Sequence, residues 1–118
     1  MVTPTMDSSA PPVMSGGTIV DGKYWLTTVR HYGGSSSPPL AERIDISHEG
    51  TYFDDVAKEN GGELRNGTSM MVSGSTVTFK IVCGMYEGTT GTAQFTATPA
   101  EFRILLSPSQ ELKVFAKQ

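Results

Sequence analysis

The sequence predicts an all-β domain, an eight-stranded antiparallel up-and-down (meander) barrel with a disordered N-terminal tether. Three observations carry this. From residue 18 onward, apolar and polar residues alternate with a period of two almost everywhere. Turn signals rich in Gly, Pro, Ser and Asn interrupt that alternation roughly every eight to twelve residues. Nearly all connections are of hairpin length, which makes sequential strands antiparallel neighbours. Eight meandering strands expose two edges unless the sheet closes, and closure gives a barrel that side chains fill or that encloses one small ligand. Composition agrees: 118 residues with 13 glycines, 7 prolines and a 37% apolar fraction favour short strands and turns, in one domain.

Residues 1–17, "MVTPTMDSSAPPVMSGG", have neither a charged leader region nor an apolar one. Their Pro, Ser, Thr and Gly content predicts a flexible tether before a single barrel domain over 18–118. A secreted or lipid-anchored bacterial protein would keep such a tether once its leader was removed. The first strand is expected at 23–32, with Tyr24, Leu26 and Thr28 on one face and Trp25, Thr27, Val29 and His31 on the other. "GGSSSPPL" is a loop, because its paired prolines deny it regular structure. Further strands follow at 41–48, 51–57, 63–72, 75–83, 91–98, 101–107 and 110–117. "TVTFKIVC" is the strongest of them, with Val77, Phe79, Ile81 and Cys83 in one phase. One of Met70 and Met71 should face in and the other out.

The expected interior set is Tyr24, Leu26, Ile44, Ile46, Val56, Met70, Val72, Val77, Phe79, Ile81, Phe95, Ile104, Leu106, Leu112 and Val114. Cys83 should point inward as a small hydrophobe. As the lone cysteine it excludes an internal disulfide and a zinc cluster of cysteines. His31 and His48 show no metal-ligand spacing and read as surface residues near strand ends. The adjacent pair Asp54 and Asp55 would point to opposite faces of a strand, so the two cannot act jointly as acid and base, and they read as a solvated turn. "GMYEGTTG" lacks the lysine and helix of a phosphate cradle and reads as a turn that exposes Tyr86. Asn66-Gly67-Thr68 matches a glycosylation sequon of the kind that arises by chance. A net charge of −3 without a basic stripe argues against nucleic acid, and the short apolar runs argue against a transmembrane segment.

The stretch Gly22-Lys23-Tyr24-Trp25 resembles the start of lipocalin-like (calycin-type) barrels, which often open Gly-x-Trp with the aromatic closing the barrel floor; here the triplet is Gly-x-Tyr and the tryptophan comes one residue late. "GTIVDGKYWLTTVRHYG" also resembles the first strand of small secreted lipoproteins of soil bacteria. The resemblance covers the first strand and, beyond it, strand count and rhythm. It implies a late-strand basic residue over the floor, for which Arg103 and Lys113 both qualify. Small bacterial inhibitors of metalloproteases share the outline and act through an N-terminal trunk, whereas avidin-like barrels need more tryptophans than the single Trp25.

The function expected is non-enzymatic and extracytoplasmic: a monomer binding a small hydrophobic ligand inside the barrel. The residues expected to line the ligand are Tyr24, Trp25, Tyr52, Phe79, Phe95 and Phe102, an aromatic set of the kind that builds ligand cavities. No catalytic residue, metal or cofactor is expected. The alternative is a protein-interaction module, such as a protease inhibitor, whose partner meets the loops or the N-terminal segment.

Overall fold

A computed structural model describes residues 1–33, 37–59, 61–107 and 109–118. Parts of the predicted "GGSSSPPL" loop and of the "KENGG" and "PSQ" turns lie outside these. Among the described residues nine strands run in chain order: β1 (Thr5–Met6), β2 (Gly22–His31), β3 (Leu40–Ser47), β4 (Tyr52–Glu59), β5 (Gly62–Ser73), β6 (Thr76–Gly84), β7 (Thr90–Thr98), β8 (Glu101–Leu106) and β9 (Glu111–Lys117). Each of β2 to β9 pairs antiparallel with the next, and β9 returns to pair with β2. The result is a closed eight-stranded meander barrel with one short extra strand, and its strand limits fall close to those predicted.

The interior is built by alternation. The fully buried residues Tyr24, Val29, Ile46, Val77, Phe95 and Phe115 come from β2, β3, β6, β7 and β9. Phe95, Phe102 and Phe115 form an aromatic tier with centroid separations of 6.2 and 6.4 Å. Phe79 lays its ring over Gly91, its cross-strand partner on β7. A side chain on Gly91 would collide with that ring.

One end of the barrel is stoppered by the segment that leads into β2. Ile19 joins the core. Tyr24 donates from its hydroxyl to the Val20 carbonyl at 2.5 Å. The Asp21 carboxylate accepts the backbone N–H groups of Glu49 and Gly50, tying this segment to the β3–β4 turn.

Several sequence expectations are corrected. The N-terminal segment does not hang free. Val2 and Leu40 exchange backbone hydrogen bonds at 2.8 and 3.0 Å, β1 lies parallel to the end of β2, and Gly16 bridges Thr96. Its Met14 is buried against Leu112 and Val114. Those two residues, expected inside, therefore lie on the outer face of β9, where the segment covers them. In β2 the register slips between Leu26 and Thr28, and Thr27 donates its hydroxyl to the Val114 carbonyl. This bulge inverts the alternation, so Val29 and His31 turn inward in place of Thr28. A second slip, beside Gly67, turns Cys83 outward. Val72 is exposed, and Val56 lies on the outer face beside Arg43 and Arg65. Met70 faces in and Met71 out, as alternation requires.

Candidate functional site

The barrel interior is not uniformly apolar. On β3 the inward phase is Leu40, Glu42, Ile44, Ile46, and Glu42 is buried. On β4 Asp55 occupies the inward phase between Phe53 and Ala57, in register with Ile44. On β9 the inward phase is Glu111, Lys113 and Phe115, and on β2 the bulge delivers His31. Four strands thus place two carboxylates, a carboxyl group, an ammonium and an imidazole together, toward the end of the barrel that bears the β2–β3 connection.

These groups are partly paired. Lys113 donates from Nζ to Glu42 Oε1 at 2.8 Å and lies 3.9 Å from Glu111 Oε1. Burial works against the ammonium, but Glu42, Glu111 and Asp55 outweigh it and hold its pKa above the ordinary value. His31 Nε2 lies 3.0 Å from Ser37 Oγ and 3.3 Å from Glu111 Oε2, while its buried Nδ1 has no partner among the described residues. Serine, histidine and glutamate here do not form a catalytic relay. A relay holds the acid on one ring nitrogen and the hydroxyl on the other, whereas both meet Nε2.

Asp55 is the least satisfied member. Its Oδ1 is buried with no hydrogen-bond partner among the described residues. Burial, followed by the hydrogen bond and charge of Glu42, pushes its pKa up to about 9 despite the opposing pull of Lys113. At neutral pH it is therefore a carboxylic acid beside the carboxylate of Glu42. The solvated turn expected at Asp54 and Asp55 is corrected: both lie within β4, on opposite faces, with Asp54 exposed.

Beside this cluster lies a cavity of about 160 Å³, walled by Ile44, Phe53, Phe102, Ile104, Leu106 and Phe115 and faced on its polar side by Glu42, Asp55 and Lys113. Of the aromatic residues expected to line a ligand, Phe102 borders this cavity. Tyr24 and Phe95 are packed solid in the core, and Phe79 is occupied with Gly91. Trp25 and Tyr52 point away from it. Of the two basic candidates for the floor, Lys113 enters the barrel and Arg103 lies exposed on β8 beside Glu101. His31 is buried, correcting its expected place on the surface, and His48 is exposed.

The outer wall carries two further groupings. Trp25, Arg43, Val56 and Arg65 form one cross-strand row over β2 to β5, with the Arg43 guanidinium 5.5 Å from the Trp25 ring centre. The Tyr52 hydroxyl donates to Asp54 at 3.2 Å and lies 3.8 Å from Cys83 Sγ, both folded over Gly67. These contacts, the one to Cys83 foremost, push the Tyr52 pKa up to about 12. Among the described residues, no group of three or more His, Cys, Asp or Glu is placed to hold a metal ion, and no helix is long and apolar enough to cross a membrane.

The interior cluster had a sequence signal. Glu42 is in phase with Ile44 and Ile46, Asp55 with Phe53, and Lys113 with Phe115. A charged residue in the apolar phase of a strand is the mark of such a site. The bulge that brings in His31 has no comparable mark.

Comparison with protein-family models, with curated protein sequences and with solved structures returns no match to this chain. The closed eight-stranded meander is compatible with a calycin-like fold.

Proposed function

We propose that this protein is a non-enzymatic, lipocalin-like binding protein that holds one small, mainly apolar molecule inside its barrel. The observation that carries the reading is the interior cavity, apolar on most of its wall and polar on one side. That division suits a ligand with a hydrocarbon body and one polar group. A volume of about 160 Å³ is close to that of cavities known to admit a single benzene ring, so the ligand is ring-sized rather than lipid-sized. An extracytoplasmic, secreted or lipid-anchored location belongs to the same proposal and rests on the resemblance of the first strand.

The protein-interaction alternative has less support in its trunk form. A trunk that acts on a partner must undock along its whole length, and Met14 and Gly16 are seated on the barrel as well as Val2 and Asp7.

The test begins with the purified full chain, by native against denaturing mass spectrometry with solvent extraction of any small molecule carried. Emptied protein is then titrated with ring-sized apolar compounds while the Ile44, Ile104 and Leu106 methyl signals are followed by NMR. Saturable shifts confined to those methyls support the reading. An empty protein whose methyls stay unmoved across the series would falsify it.

A further inference from the structure

We propose that the ligand of the barrel cavity carries a protonated amine and that the Asp55 carboxyl group receives it. This rests on the reading of the cavity as a small-ligand site, and it adds the chemical class of the polar group.

The argument is one of unmet valence. Of the polar groups bordering the cavity, Lys113 and Glu42 are already paired in charge at 2.8 Å. Asp55 Oδ1 is buried without a partner among the described residues. An ammonium has donors and no acceptor, so it complements an orphan acceptor oxygen. A ligand carboxylate would be a third anion beside Glu42 and Glu111, which already share the charge of Lys113. A neutral hydroxyl would pair with the carboxyl group but add no charge to offset its ionisation.

The groups that face Asp55 are Glu42 from β3, Lys113 and, behind it, Glu111 from β9, and Asn66 in register from β5. His31 on β2 adjoins Glu111. With the cavity empty, this surrounding keeps the Asp55 proton in place. An arriving ammonium stabilises the carboxylate, and the proton leaves for solvent. No covalent bond other than that O–H bond breaks, and the site gains one ammonium, the ligand's, and one carboxylate, that of Asp55. Amine binding therefore strengthens as pH rises, whereas binding of an uncharged ring of equal size does not.

The experiment compares benzylamine with toluene on the emptied full chain. At pH 7 benzylamine should bind at least about tenfold tighter than toluene, with about one proton released per complex by calorimetry in buffers of different ionisation enthalpy. Its affinity should rise about tenfold per pH unit between pH 6 and pH 8. The Asp55 13Cγ resonance should move to the carboxylate position on binding. In Asp55→Asn the ratio of the two affinities should fall to about one. Toluene binding without preference for the amine, or a preference that survives in Asp55→Asn, overturns the amine assignment and leaves the cavity reading standing. If neither compound binds and the Ile44 and Ile104 methyls do not move, both fail together.

Discussion

Asp55→Asn should stabilise the protein at neutral pH and bring no gain in strong acid. The folded chain holds the Asp55 pKa at about 9, against an ordinary value of 3.8. A pKa raised by folding means that stability is complete below the ordinary value. It falls as pH rises and stops falling on this account above the folded value. At pH 7, about three units into that window, the unfolded chain ionises Asp55 freely while the folded chain does not. At about 1.36 kcal/mol per unit the deficit is about 4 kcal/mol. Asparagine keeps the shape and has no proton to lose. Its own amide donors need partners, so a net gain of about 2–4 kcal/mol at pH 7 is expected. Urea unfolding of both proteins, followed by circular dichroism at pH 4, 5.5, 7 and 8.5, measures it. The difference between them should grow by roughly 1.4 kcal/mol per pH unit above pH 4, because the other titrating groups are common to both. A difference independent of pH, or a variant less stable at pH 7, would show that Asp55 is ionised in the folded barrel and that the reasoning is wrong.

Lys113→Met should act in the opposite sense, since it strands Glu42 and Glu111 without their cation. A loss of about 3–5 kcal/mol is expected at pH 7, recovered in part in acid as the carboxylates protonate, and thermal melts at pH 7 and pH 4.5 read it. Met14→Ala should cost about 2–3 kcal/mol by uncovering Leu112 and Val114, and equilibrium denaturation giving less than 1 kcal/mol would mean that the segment is not docked in solution. Cys83 should react stoichiometrically with a thiol reagent in the native state, without denaturant, and protection until unfolding would return it to the interior.

The fold was legible because a meander depends on local information. Each hairpin turn and each run of alternation lies within a short window, and closure follows from the cost of two open edges. What escaped was set by one-residue events. The bulge at Thr27 reverses the faces of Val29 and His31, and nothing in "LTTVRH" marks which threonine is the extra residue. The slip beside Gly67 does the same for Cys83. Leu112 and Val114 misled for another reason. They are apolar because the chain's own N-terminal segment covers them, so the outer face of β9 looks like an inner one. The candidate site was half visible: Glu42, Asp55 and Lys113 stand in apolar phase. Their pairing depends on the barrel bringing β3, β4 and β9 around β2, which no local pattern records.

The N-terminal segment and the polar cluster belong to one design. β2 pairs with β3 only over residues 22–25, so the seam between them is unzipped from Leu26 onward. Residues 2–7 fill that gap, bonding Val2 to Leu40 on one side and β1 to Arg30 and His31 on the other. The filled stretch lies beside His31 and Glu42, the flank of the barrel nearest the buried charges. A wall made of eight fully paired strands could not part there without breaking a ladder. A wall completed by a segment held through a few backbone bonds and the Asp7–Arg30 ion pair can. Burying Glu42, Asp55, Glu111 and Lys113 together costs stability that an apolar core of the same volume would not. On the proposed reading of the cavity as a ligand site, this loosely bonded part of the wall is the route by which the ligand enters. Deleting residues 2–7 should therefore speed exchange of a bound ring-sized molecule, seen as broadening of the Ile44 methyl signal, while the eight-stranded barrel persists. Unchanged exchange would place the entrance elsewhere.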